Sequence, residues 1–275
     1  MTILYIVSTP IGNLEDITLR GLRILKEVDC IAAENVLSTR NLLKHHGIKT
    51  KVISYRESNK AVQIPQIINI LGARTVAIVS DAGTPLISDP GLELVNAAIH
   101  NSIAVVSIPG PSAITASLTS SGMPVTPFLF LGFLPRHKSK RRIALQNIKF
   151  LPYTLVIFEA PHRLTKTLDD MLNILGNRNV GISRELTKIH EEIFRDSISN
   201  AISFFSNPRG EFTIVVEPSS TKLALPNDSD VSDFLQMLRD QGLRAREAVN
   251  EVVKTHGGSR KEIYKMWHQL PKNAG

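Results

Sequence analysis

The chain has 275 residues, 43% of them hydrophobic, and a formal net charge of +7 at pH 7, which allows a sizeable buried core and favours acidic partners such as nucleic acid. A single cysteine, Cys30, excludes an intrachain disulfide and a thiolate-cluster metal site. No apolar run approaches the roughly 18 residues of a membrane span, and the first residues hold only five apolar side chains in a row with no basic flank, so a soluble, cytoplasmic protein without a secretory leader is expected.

Apolar runs at Ile3–Val7, Cys30–Ala33, Lys51–Ser54, Val76–Ser80 and Ala104–Ile108 alternate with segments of helical period. That alternation is the pattern of βαβ units around a doubly wound parallel sheet. Cys30, among apolar neighbours, reads as a buried structural thiol. Ser38 is the expected N-cap of one intervening helix, with Gly47 at its C′ position, and Asp89 followed by Pro90 is expected to open another.

The stretch Ser120–Pro127 (SSGMPVTP) breaks both periods and marks a boundary. Strands are expected beyond it at Phe128–Leu134, Thr154–Phe158, Val180–Ser183, Glu192–Phe194 and Phe212–Glu217, with a helix over Arg163–Leu175, giving a second α/β unit with a mixed sheet. After Pro218 a polar linker leads to helical patterns across Val231–Leu270. The last carries a capping box, Ser259 to Glu262, and a face of Ile263, Tyr264, Trp267 and Leu270 that reads as packing surface rather than an aromatic nucleic-acid platform. The expected domains are therefore an α/β unit over 1–121 carrying a cofactor crevice, a basic α/β unit over 122–218 and a helical unit over 229–271.

Charge is uneven along the chain. Between Arg136 and Lys188 stand 11 Lys or Arg and 4 Asp or Glu, while the remainder holds 21 of each. The excess suits an RNA-facing domain; the plainer alternative is a solvated face.

Chemistry is expected where loops leave the strands. Thr9-Pro10-Ile11-Gly12 follows the first strand, Asp81-Ala82-Gly83-Thr84-Pro85 the fourth and Pro109-Gly110-Pro111-Ser112 the fifth. In an open parallel sheet these carboxyl ends share one crevice, and the glycines Gly12, Gly83 and Gly110 are read as leaving room for a flat ligand. The chain has neither the glycine fingerprint of dinucleotide-binding folds nor a P-loop, and no nucleophile elbow. His190-Glu191 begins a zinc-protease pattern, but Phe194 stands where the second ligand belongs, so no metal is expected.

These residues also carry a resemblance. YIVSTPIGNLEDITLR, VSDAGTPLISDPG, SIPGPSAITASL, FLGFLPRHKSKRR, FEAPHRL, RELTKIHEE and GEFTIVVE, in order from about Tyr5 to Glu217, resemble the 16S ribosomal RNA (cytidine-2′-O)-methyltransferase family, small-subunit methyltransferase I, and GLRAREAV and SRKEIYK in the tail are similar to it as well. The resemblance implies a two-domain tetrapyrrole-methylase (class III methyltransferase) fold with a small C-terminal helical domain, S-adenosyl-L-methionine in the cleft, a cytidine of 16S rRNA in the small subunit as substrate, and a homodimer. On that footing Pro10, Gly12, Asp81, Ala82, Gly83, Pro85, Asp89, Pro109, Gly110, Pro111, Ser112, Gly132, Ala160 and Pro161 are the expected cofactor contacts. Arg136, Lys138, Lys140, Arg141, Arg142 and Arg163 are the expected phosphate contacts.

Glu34, at a strand end beside the crevice, and Lys188, in the basic half, are the candidates for activating the ribose hydroxyl, each weighed against a surface ion pair. The chain departs from the family at one point: Glu34 is followed by Asn35-Val36-Leu37 where the family typically reads Asp-Thr-Arg. Two other readings stay open, a methylase of the same fold acting on a small tetrapyrrole and a noncatalytic ribosome-assembly factor.

Overall fold

A computed structural model of the chain describes residues 2–219, 228–240, 242–256 and 258–270. These fall into two compact units, one of 1–146 with 153–217 and one of 147–152 with 218–275.

The first unit opens with β1 (Ile3–Val7), α1 (Leu19–Glu27), β2 (Cys30–Ala33), α2 (Val36–His45), β3 (Val52–Ser54), α3 (Lys60–Leu71), β4 (Val76–Val79), α4 (Leu92–His100) and β5 (Ala104–Ile108). The five strands are parallel, in the order β3-β2-β4-β1-β5. Period-two alternation decides which residue meets which helix layer. Ile31, Ala33, Ala77 and Val79 face α1 and α2 through Ile24, Leu25, Leu42 and Leu43. Their sequence neighbours Cys30, Ala32, Val76 and Ile78 face α3 and α4 through Ile67, Leu71, Leu94 and Ala98. The sheet is thus wound on both faces. Cys30 is a buried core thiol, and burial pushes its pKa up.

Two helix starts differ from expectation. Asn35, not Ser38, caps α2: its Oδ1 accepts from the backbone N–H of Leu37 and of Ser38, each at 3.2 Å. An Asx side chain reaches the second and third amides of a helix only from the position before it, and that position belongs to Asn35. Gly47 does follow the helix in a left-handed conformation, φ +67°. α4 starts after Gly91, φ 147°, so Asp89 and Pro90 sit in the preceding loop and do not open the helix. Left-handed Leu86 and Ser88 turn that loop toward a cavity instead.

The second sheet holds β6 (Phe128–Phe133), β7 (Thr154–Glu159), β8 (Asn179–Arg184), β9 (Glu192–Ser197) and β10 (Phe212–Val216) in the order β6-β7-β10-β8-β9. Only β6 and β7 run parallel, so the sheet is mixed. β9 runs on to Ser197 because its ladder with β8 continues to Asn179. Helices α6 (Lys138–Ile148), α7 (Leu164–Leu175) and α8 (Ile198–Phe204) complete this layer. α5 (Ala113–Ser121) precedes the glycine and proline break yet packs on β8 and β10, with Leu118 against Val156 and Val215. Gly181 permits this contact: a Cβ there would stand 2.6 Å from that of Ser121.

In the second unit, α9 (Asp228–Asp240), α10 (Ala245–His256) and α11 (Arg260–Gln269) enclose Val231, Leu235, Leu238, Ala248, Val249, Val252, Ile263 and Trp267. Tyr264 and Leu270 pack against that core, as a packing face requires. The capping box does not form, because Ser259 occupies the N-cap position without a side-chain hydrogen bond. The start of α11 is held by its buried face.

Candidate active site

The loops after β1, β4 and β5 are tied to one another by hydrogen bonds. Thr9 and Gly83 exchange backbone bonds of 2.9 and 3.0 Å, and the hydroxyl of Thr84 lies 3.0 Å from that of Ser8 and donates to the carbonyl of Pro111 at 3.4 Å. The glycines allow close packing within this assembly. A Cβ at Gly83, φ +75°, would lie 3.3 Å from Ile11 Cγ2, one at Gly110 would lie 2.9 Å from Ser8 Cβ, and one at Gly12 would lie 2.5 Å from Lys188 Cγ. At Gly83 and Gly110 residues at the end of β1 and in the loop after it take the space a side chain would need, and at Gly12 the segment Leu186–Lys188 takes it.

Between these loops and the second sheet lies a cavity of about 470 Å³, well within the range of small-molecule sites. Of the expected cofactor contacts, Asp81, Ala82, Gly83, Asp89, Ser112, Ala160 and Pro161 line it. Pro10, Gly12, Pro85, Pro109, Gly110, Pro111 and Gly132 do not; Pro10 lines a smaller neighbouring pocket of about 330 Å³, and Gly132, φ +61°, packs toward Ser88.

Sequence reasoning missed most of the far wall: Phe133, Phe158, Glu159, Ser183, Leu186, Glu211, Phe212 and Thr213. One signal was available. Ser183 and Thr213 are polar residues inside apolar strands, and they pair with each other across β8 and β10. The Ser183 hydroxyl is buried and has no hydrogen-bond partner among the described residues.

Acidic groups gather at the β4 end of the cavity. Burial, then the charge of Glu34, pushes the Asp89 pKa up to about 6 against a hydrogen bond from Ser80. Burial also raises Glu34, and the Asp81 charge adds to this while the Asp81 backbone and Arg56 oppose it. Glu34 lines neither pocket, but it touches Asp81, which lines both, and its Oε2 is buried without a hydrogen-bond partner among the described residues. Asn35, beside it, donates from Nδ2 to Asp81 Oδ2 at 3.4 Å, a bond an aspartate at 35 could not give.

Lys188 is an ion-pair residue. Its Nζ donates to Glu185 Oε1 at 2.9 Å and to Glu211 Oε2 at 2.8 Å. Burial pulls its pKa down, but the bonds to Glu211 and Glu185 outweigh this and raise it. An ammonium held by two carboxylates has no lone pair with which to accept a proton, so Lys188 is set aside as a base.

Two of the expected phosphate contacts are structural. Arg141, 5% exposed, donates from Nε and Nη2 to Asp170 Oδ2 at 2.9 and 2.6 Å, and its Nη1 bonds the carbonyl of Arg136. Arg163 pairs with buried Glu159 at 3.2 Å and donates to the carbonyl of Leu134 at 2.6 Å. Neither presents its guanidinium to a partner. Arg136, Lys138, Lys140 and Arg142 are exposed around the first turns of α6.

Comparisons with known proteins agree with this architecture. A family model described as tetrapyrrole (corrin/porphyrin) methylases matches residues 3–202. The chain is 45% identical over 277 residues to a protein of Halalkalibacterium halodurans named ribosomal RNA small subunit methyltransferase I, covering 97% of this chain and 94% of that one. A protein of the same name from Thermotoga maritima is 49% identical over 216 residues, covering 78% of this chain and 97% of that one. Among solved structures, uroporphyrin-III C-methyltransferase of Thermus thermophilus complexed with S-adenosyl homocysteine superposes with a TM-score of 0.59 at 17% identity, covering 78% of this chain and 96% of that one; at that identity the match speaks for the fold alone.

Proposed function

Because the chain belongs to the ribosomal RNA small subunit methyltransferase I family within the tetrapyrrole methylases, we propose that it transfers a methyl group from S-adenosylmethionine to the ribose 2′-hydroxyl of a cytidine in 16S ribosomal RNA, working as a cytoplasmic homodimer on the small subunit. The observation that carries the reading is the cavity of about 470 Å³ where the loops after β1, β4 and β5 meet the second sheet.

The residues present fit such a cofactor. Ile11, Ile87, Ile114, Phe133, Phe158 and Phe212 give apolar walls for a flat ring, and Asp81 and Asp89 give negative charge at one end. The unpartnered Ser183 hydroxyl on the opposite wall offers a hydrogen bond that the protein leaves unused. When bound, S-adenosylmethionine supplies a methyl group on a positively charged sulfur, an electrophile that needs alignment more than activation. This chain's own contribution is then to hold ligand and hydroxyl in attack geometry and exclude water, an effect worth about 7–11 kcal/mol at its upper range.

Glu34 is the residue proposed to take the hydroxyl proton. Its burial raises its proton affinity, which makes its carboxylate a stronger base than an exposed one. Arg136, Lys138, Lys140 and Arg142 are proposed to hold phosphates, which positions RNA without reading its sequence; an unstacked base then selects the nucleotide. The exposed charge of these four residues favours an RNA substrate over a small tetrapyrrole.

The test is transfer of labelled methyl from S-adenosylmethionine to small ribosomal subunits from a strain lacking the activity, with the nucleosides resolved by mass spectrometry. Label in 2′-O-methylcytidine is expected. Label on a base, or none in the presence of bound cofactor, overturns the proposal.

A further inference from the structure

A second concave site lies at the opposite edge of the first sheet. The end of α2 and the segment entering β3 border an open hollow of about 530 Å³. Arg40, Lys44, Lys49 and Lys51 line it with no acidic residue among the lining, and all four are exposed. None of the four has an ion-pair partner among the described residues, in contrast to Arg141, Arg163 and Lys188. Gly47 is part of the lining and leaves its backbone open, since a Cβ built there would meet nothing within 4 Å. In the sequence, 35–56 holds Arg40, Lys44, Lys49, Lys51 and Arg56 with no acidic residue, a local excess hidden only in the sum, since acids farther along bring the chain outside 136–188 to zero.

We propose that this pocket is a second phosphate-binding site for the RNA substrate, engaging the sugar-phosphate backbone away from the methylated nucleotide. The proposal rests on the reading of the substrate as RNA. The plainer alternative, that Lys44 merely offsets the carbonyl end of α2, accounts for one cation against about half a unit of negative charge. The other three converge on the same hollow without any such partner. Arg40 contributes the forked geometry that matches phosphate, and the three lysines add point charges.

Topology fixes where the contact falls. The pocket lies before β3, at the amino ends of the parallel strands, whereas the cofactor loops leave their carboxyl ends. A strand of four residues such as β2 spans about 13 Å. With about 3.4 Å of rise per nucleotide in a stacked strand, the phosphates held here lie at least about four nucleotides from the reacting ribose.

The experiment compares the full chain with Arg40→Gln/Lys44→Gln/Lys49→Gln/Lys51→Gln by titrating a fluorescent 16S RNA fragment from 50 to 200 mM salt, with S-adenosylmethionine calorimetry on both proteins. Four lost phosphate contacts flatten the salt slope, so that the parent loses about 50- to 150-fold more affinity than the variant across that fourfold range. Cofactor affinity is expected to stay unchanged, which also shows that the variant is folded. A second variant, Lys44→Arg/Lys49→Arg/Lys51→Arg, keeps the charge and is expected to keep the parent slope. A parent that binds RNA and methylates it, paired with a glutamine variant of equal slope, overturns the second site while leaving the proposed function standing. A parent that binds no RNA overturns both. Loss of binding to anionic phospholipid vesicles in the glutamine variant, with the RNA slope unchanged, assigns the pocket to membranes and overturns the proposal.

Discussion

Replacing Arg141 with alanine separates a structural arginine from a phosphate contact. Its guanidinium and the Asp170 carboxylate are each about 5% exposed and joined by bonds of 2.9 and 2.6 Å. Removing one partner of a buried pair leaves an uncompensated charge, at a cost of about 3–5 kcal/mol. Arg142, half exposed and 3.9 Å from Asp170 Oδ1, offsets part of this, which places the expected loss near 3 kcal/mol. For a unit of this size each kcal/mol moves Tm by about 2–4 °C, so Arg141→Ala should melt about 6–12 °C below the parent. Arg142→Ala should cost under about 1 kcal/mol and instead lower the RNA salt slope by about one. Thermal denaturation and salt titration of both variants decide the matter. An Arg141→Ala protein that melts within about 2 °C of the parent and loses salt slope would refute the assignment.

Three further outcomes follow from the site. Ser183→Ala removes a buried hydroxyl with no partner, so the free protein should be as stable as the parent or more so, while cofactor affinity falls about fivefold, the worth of one hydrogen bond; calorimetry and melting show whether the two move in opposite directions. Asp89 has a folded pKa raised to about 6 from 3.8, so the native state binds more protons than the unfolded one in that window and stability falls as pH rises from about 4 to about 6. Over the same window a cationic cofactor should bind more tightly as Asp89 ionises; Asp89→Asn should flatten both profiles, and a persisting pH dependence would assign it elsewhere. Glu34→Gln should slow methyl transfer by about 10² to 10⁴ with cofactor affinity kept within about threefold, and an unchanged single-turnover rate removes Glu34 from the proton path.

The first sheet was legible because its strands are short apolar runs whose alternate residues feed two helix layers, a local pattern. The meeting of the loops after β1, β4 and β5 was legible for a topological reason, since parallel strands send their carboxyl ends to one edge. What fills the glycine gaps was not. Gly12 faces Lys188 and Gly110 faces Ser8, contacts spanning much of the chain.

The two kinds of arginine were equally hidden, because α6 carries charge on adjacent positions and its period does not say which one turns inward. The clue lay on α7, where Asp170 stands among buried Thr167, Leu168, Met171 and Ile174. An acid on an apolar stripe demands a buried cation. Glu159, ending the apolar run of β7, makes the same demand of Arg163. The displaced cap on α2 has a simpler cause: Asn35 and Ser38 are both good caps, and only the end of β2 at Ala33 decides which of them precedes the first helical turn.

The most direct test of the methyltransferase account is a crystal structure grown with S-adenosylhomocysteine. Density for the ligand is predicted between Asp81-Ala82-Gly83 on one side and Ala160-Pro161 on the other, with a polar ligand atom within hydrogen-bond distance of Ser183 Oγ. Ligand seated elsewhere on the molecule, with that cavity filled by its own side chains, would contradict it.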